Sequence, residues 1–110
     1  MTADPSPATA VPTAAEAAFA SLGGEPAAPG TVHLVGGGPG ALGLVTTRAA
    51  RLLSTATFVA YDRLSPPEAL AVCRDDVELV YVGKLPDRHA LQQEEINALL
   101  VEKAQAGEAV

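Results

Sequence analysis

Apolar positions in this 110-residue chain fall into short blocks, and after residue 30 their spacing alternates between the strand and helix periods. Residues 32–35 make a brief apolar run that ends in glycines, which predicts a first strand. Residues 45–53 set Val45, Ala49, Leu52 and Leu53 at helical spacing, with Arg48 and Arg51 on the opposite side. Residues 56–61 are β-branched and aromatic, the pattern of a second strand. Pro66 and Pro67 open a short helix reaching about Val72, since proline suits a first turn whose amide donors are idle. Residues 77–82 predict a third strand, closed by Gly83. Residues 94–106 carry Ile96, Leu99, Leu100 and Lys103 on neighbouring turns and stop at Gly107, as a helix with a glycine end does. Ala109 and Val110 are expected to open a fourth strand.

Strands alternating with helices at these crossover lengths predict an α/β fold with a parallel sheet. Ligands of such sheets sit beyond the carboxyl ends of the strands. Three clusters fall there: the glycines of residues 36–40, Asp62 with Arg63, and Gly83 with Lys84. Turn formation alone would also place glycines and charges at strand ends, so position by itself does not establish a site.

The first 30 residues follow another pattern. They hold Pro5, Pro7, Pro12, Pro26 and Pro29 and contain neither Lys nor Arg. A signal peptide needs a basic start and a continuous apolar core, and a mitochondrial presequence needs arginines. Residues 13–22 could form at most a short, fraying helix. The expectation is a disordered Ala/Pro-rich leader over residues 1–30, because so little apolar surface cannot offset an ordering cost of roughly 1–2 kcal/mol per residue.

Composition narrows the function classes. Hydrophobic residues make up 48% of the chain, enough for a packed core, but aromatics are only 4%, so Val, Leu and Ala must fill it. A formal net charge of −6 argues against a nucleic-acid backbone or an anionic membrane as the main partner. An anionic small molecule stays open, because a pocket responds to local charge. No stretch approaches the ~20 apolar residues of a membrane span. Cys73 is alone, so neither a disulfide framework nor a metal cluster is expected.

Chemistry concentrates in the stretch VHLVGGGPGALGLVT, residues 32–46. Glycines allow positive φ and let a ligand approach the backbone, while Pro39 fixes one torsion among them. Gly36, Gly38 and Ala41 satisfy G-x-G-x-x-A, a form of the dinucleotide fingerprint, and Asp62 lies at the distance of a ribose-binding acid. An NAD-binding fold is therefore one candidate. Pro39 fits it poorly, because a pyrophosphate wants free amides at a helix start. A cofactor without a pyrophosphate, such as S-adenosylmethionine, suits the loop better, and these residues alone leave the choice open.

Four blocks in order, VHLVGGGPG, FVAYDRLSPPEAL, VELVYVGK and RHALQQEEINALL, closely resemble the tetrapyrrole methylase family, in its uroporphyrinogen-III C-methyltransferase branch. The resemblance runs from about Thr31 to Val110. It implies S-adenosyl-L-methionine as cofactor and two C-methylations of uroporphyrinogen III to precorrin-2, which feeds siroheme and cobalamin synthesis. By the same resemblance Pro39, with Gly38 and Gly40, contacts the cofactor, Asp62 accepts a proton and Lys84 donates one. Arg63, Arg88 and His89 are candidate partners of the substrate's carboxylates, arginine being suited to bidentate contact. No metal role is implied for His89. The loop reads GPGAL where the family usually has GPGDP, so Ala41 stands for an aspartate and Leu42 for a proline. Gln92 likewise replaces a common proline.

The resemblance also carries an expectation of incompleteness. The family continues with a fourth strand set inside the sheet, a Gly-Gly-Asp-Pro segment at the cofactor and a second α/β domain. Residues 31–110 are thus expected to be a partial S-adenosylmethionine-binding domain, truncated before that strand and inactive by itself. A cytoplasmic enzyme, homodimeric when whole, with no nucleic-acid or membrane partner, completes what is implied. Two other readings remain: an NAD-binding oxidoreductase fragment, which gives no reason for Lys84 or the RHALQQEEIN block, and a non-catalytic remnant.

Overall fold

The computed structural model describes residues 11, 13–83 and 92–110. Its centre is a parallel pair of strands, β1 (Phe58–Tyr61) and β2 (Glu78–Tyr81), in the register Phe58↔Glu78 through Tyr61↔Tyr81. Around it lie helices α1 (Ala14–Gly23), α2 (Thr47–Thr55), α3 (Pro67–Leu70) and α4 (Gln93–Gln105). The α/β fold with a parallel sheet expected from the sequence is therefore present.

Pairing continues past β1 by single contacts. Ala109 C=O accepts from the N–H groups of Thr57 and Phe58, at 2.9 and 3.2 Å. On its other side the chain's last residues meet residues 31–33. Thr31 and Ala109 form a parallel bridge, Val110 N–H donates to Thr31 C=O at 3.1 Å, and His33 N–H donates to Val110 C=O at 2.7 Å. Ala109 and Val110 thus lie between the first apolar run and β1. Residues 32–35, expected as a strand, are not a ladder strand; beside the Thr31–Ala109 bridge, His33 alone of them bonds to Val110.

Each face of the sheet carries its own core. Ala109 joins Ala27, Leu52, Ala56 and Val59 beneath α2, whereas Val110 joins Phe58, Ala104, Leu99 and Leu100 beneath α4. That split follows from side chains alternating across a strand. Phe58 is fully buried, and Lys103 lies 5.2 Å from its ring centroid while pairing with Glu78 at 3.1 Å.

Local chemistry moves several boundaries. The helix expected from Val45 begins at Thr47, because the Thr46 hydroxyl accepts from Ala49 N–H at 3.0 Å and caps it. A 3-10 turn, Leu42–Leu44, separates the glycine loop from that helix. The second strand begins at Phe58 rather than residue 56, since Ala56 is the C-cap of α2. α3 ends at Leu70 and passes into turns through Cys73.

The largest difference lies before residue 31. Where a disordered leader is expected, residues 13–30 are placed against α2. Thr13 and Glu16 form a capping box at the start of α1. Arg48 donates to the carbonyls of Gly23, at 2.8 Å, and Glu25, while Ala27 N–H donates to Thr55 Oγ1 at 2.8 Å. These partners come from residues some 25 positions away, so the order comes from tertiary contact rather than helix propensity.

Candidate functional site

The carboxyl ends of the strands meet at a cleft of about 310 Å³ lined by Val35, Gly37, Tyr61, Asp62, Ser65 and Val82, among others. From the glycine loop Gly37 lines one wall. Gly38 and Gly40 have φ of 79° and 119°, a region that side chains with a Cβ rarely adopt. At Gly37 a Cβ would lie 2.7 Å from Pro66 Cδ, so the loop can sit against the start of α3 only with glycine there. Beyond Gly40 the backbone faces open space, with no heavy atom within 4 Å of a notional Cβ. Pro39 is exposed in the bend between them.

The opposite wall is the turn that follows β1. Asp62 Oδ1 accepts from Leu64 N–H at 2.9 Å and from the Ser65 hydroxyl at 3.3 Å. Ser65 Oγ in turn accepts from Asp62 N–H at 3.1 Å. One carboxylate oxygen is therefore tied into the turn, and the exposed side chain is oriented rather than free to sweep. The sequence reading missed Ser65. A D-x-x-S spacing directly after a strand was the available signal.

Arg63 is exposed on the same turn, and among the described residues no ion pair joins it to Asp62. The Arg63 backbone lies close to the third strand end: a Cβ on Gly83 would sit 3.3 Å from Arg63 N and 2.7 Å from the Tyr81 hydroxyl oxygen. The Tyr81 ring meets Tyr61 edge-on at 5.4 Å, so the two strand ends are packed together just below the turn. Lys84, Arg88 and His89 lie outside the described residues. The structure thus brings Gly37 and Asp62 to one cleft, with Gly83 beside Arg63, whereas Gly38, Pro39 and Gly40 are not among the residues that line it. Among the described residues no group of His, Cys, Asp and Glu is arranged to hold a metal ion.

Comparison with known proteins bears directly on this arrangement. The family model described as Tetrapyrrole (Corrin/Porphyrin) Methylases matches residues 31–110, the whole span from the first strand segment to Val110. The chain belongs to the tetrapyrrole methylase family. A siroheme synthase of Pseudomonas fluorescens (strain SBW25) is 50% identical over 88 residues, covering 80% of this chain and 19% of that protein. One from Methylobacillus flagellatus is 52% identical over 81 residues, 74% of this chain and 17% of the relative. The uroporphyrinogen-III C-methyltransferase of Bacillus subtilis (strain 168) is 49% identical over 78 residues, 71% of this chain and 16% of its own length. This tetrapyrrole methylase chain therefore spans less than a fifth of the length of these curated relatives.

Membership gives Lys84 and the RHALQQEEIN block a place that an NAD-binding fold does not. The geometry points the same way: α2 begins seven residues after Gly40, behind the 3-10 turn, so its N-terminal amides do not open directly from the glycine loop as the dinucleotide fingerprint requires. No helix among the described residues is long and apolar enough to cross a membrane.

Proposed function

We propose that this domain serves S-adenosyl-L-methionine-dependent C-methylation of uroporphyrinogen III to precorrin-2, as part of a cytoplasmic enzyme that is homodimeric when whole. The observation that carries the reading is the cleft that Gly37 of the glycine loop shares with the Asp62 turn, in a chain 49% identical over 78 residues to a uroporphyrinogen-III C-methyltransferase. The residues present fit one side of the cofactor. A backbone with positive φ at Gly38 and Gly40, open to solvent beyond Gly40, offers a close-approach surface, and Pro39 holds its shape. When bound, S-adenosylmethionine supplies an activated methyl group.

The chain's own residues would manage protons and orientation. Asp62, anchored through Oδ1, keeps its second oxygen for a proton leaving the substrate. Lys84, which follows Gly83 at the next strand end, would return a proton. Arg63, Arg88 and His89 would pair with substrate carboxylates.

A chimera tests this reading. Residues 31–110 replace the matching segment of the Bacillus subtilis relative, and methylated tetrapyrrole is measured at saturating cofactor. The chimera is expected to be active, and Asp62→Asn and Lys84→Met to lower turnover by about 100-fold or more with circular dichroism unchanged. Full turnover in both variants would reject the assigned roles. For Lys84→Met, a raised KM at unchanged kcat would mean ground-state carboxylate binding instead.

A further inference from the structure

Asp62 and Ser65 are tied to each other three times over in the turn that follows β1. Ser65 N–H donates to Asp62 C=O at 3.1 Å and closes the turn. The Ser65 hydroxyl accepts from Asp62 N–H at 3.1 Å and donates to Asp62 Oδ1 at 3.3 Å. One hydroxyl carries a proton and two lone pairs, so a single oxygen serves both the backbone and the carboxylate of the same aspartate. Leu64 N–H gives Oδ1 a second donor at 2.9 Å, while among the described residues no hydrogen bond or ion pair engages Oδ2.

What stands behind Ser65 matters as much. Ser65 is half-buried and precedes Pro66, which keeps it out of the helical region. Pro66 is buried at the start of α3, and its Cδ lies 2.7 Å from where a Cβ on Gly37 would be. The path from the glycine loop to the Asp62 carboxylate is therefore short: Gly37 against Pro66, Pro66 bonded to Ser65, and the Ser65 hydroxyl on Asp62. Only one side-chain torsion of serine lies along it. Gly37, Asp62 and Ser65 all line the cleft. Without that path an exposed aspartate samples several rotamers, and its distance from the loop is not fixed.

We propose that Ser65 is a positioning residue, which sets the Asp62 carboxylate in one rotamer relative to the glycine loop and leaves Oδ2 for the substrate. The inference rests on the reading of Asp62 as proton acceptor. Ser65 acts through Asp62, so its loss lowers kcat and leaves KM unchanged, because the groups that bind substrate are untouched.

Three variants test this: Ser65→Ala, Ser65→Val and Ser65→Thr. Valine and threonine share one shape, and only threonine keeps the hydroxyl. In the whole 110-residue chain, the Hα–Hβ couplings of Asp62 are expected to be those of a single staggered rotamer for the parent and Ser65→Thr, and averaged for Ser65→Ala and Ser65→Val. In the Bacillus subtilis chimera, kcat is expected to fall roughly tenfold in Ser65→Ala and Ser65→Val, at unchanged KM for uroporphyrinogen III, and to stay within about twofold in Ser65→Thr. Single-rotamer couplings in Ser65→Ala and Ser65→Val overturn the proposal. Equal turnover in Ser65→Val and Ser65→Thr does so too, as does a raised KM at unchanged kcat, which would make Ser65 a substrate contact. An inactive Asp62→Asn beside a fully active Ser65→Ala rejects the positioning role alone. A fully active Asp62→Asn rejects the proton-acceptor reading, and the positioning role falls with it.

Discussion

Asp62 and Cys73 show how differently single residues can be read. Asp62 was marked by its place at a strand end, and the structure adds what fixes it, two donors on Oδ1 from its own turn. Those bonds were within reach of sequence, because Asp and Ser three apart after a strand are turn chemistry. The closeness of Gly37 to Pro66 was not, since it joins segments that only the fold brings together. Cys73, alone in the sequence, is of intermediate exposure rather than fully buried, and burial pushes its pKa up. The sign follows from desolvation of the thiolate: the fold favours the protonated thiol, so its contribution to stability is present below the unfolded pKa and fades as pH rises through the folded one. Iodoacetamide at pH 8 should therefore alkylate Cys73 more slowly in the folded chain than in urea, as followed by mass spectrometry. Equal rates would mean that the side chain is not shielded.

Among the elements, α1 and the first strand were the least legible, and for the same reason. An alanine-rich helix with few apolar anchors reads as marginal, and it would be so in isolation. What holds its C-terminal end is Arg48, which the sequence placed on the side of α2 opposite its apolar positions. The side chain instead donates to the Gly23 and Glu25 carbonyls, and Arg51 donates to Gly24 C=O at 3.3 Å. A cation serving the carbonyl end of a helix is favourable, and here the cation belongs to another helix. Arg48→Met keeps the aliphatic stem and removes the donors. It should loosen α1 by about 1 kcal/mol, read as roughly fivefold faster exchange at the Ala17–Ala20 amides. α2 itself should be unaffected, since its buried stripe of Ala49, Leu52 and Leu53 is untouched. Exchange unchanged within α1 would show that Gly23 packing, not the arginine, holds it. The first strand's apolar pattern was legible, but its bonds to Val110 join segments far apart in the chain.

At the scale of the whole molecule, two half-cores lie on opposite faces of one sheet. α2 and α4 each cover a face of the sheet, and among the described residues the hydrogen bonds linking residues 31–33 to the start of β1 run through Ala109 and Val110. Family membership was legible because four sequence blocks lie at strand ends and on α4, where local pattern and chemistry coincide. The place of Ala109 and Val110 inside the sheet was expected from the resemblance, which sets the fourth strand there. The cleft is built from two walls, Gly37 of the glycine loop and the Asp62 turn. Effective small-molecule sites bury most of their ligand, and methyl transfer needs the acceptor held about 3–3.5 Å from the reacting atom. Two walls meet neither demand. The 110-residue chain by itself should therefore give no methylated tetrapyrrole from uroporphyrinogen III and bind S-adenosylmethionine weakly or not at all. Isothermal titration beside a product assay separates the two statements. Micromolar binding with measurable precorrin-2 would mean that the two walls suffice. Binding without turnover would show that the loop and turn recognise the cofactor unaided, leaving placement of the acceptor as the missing step.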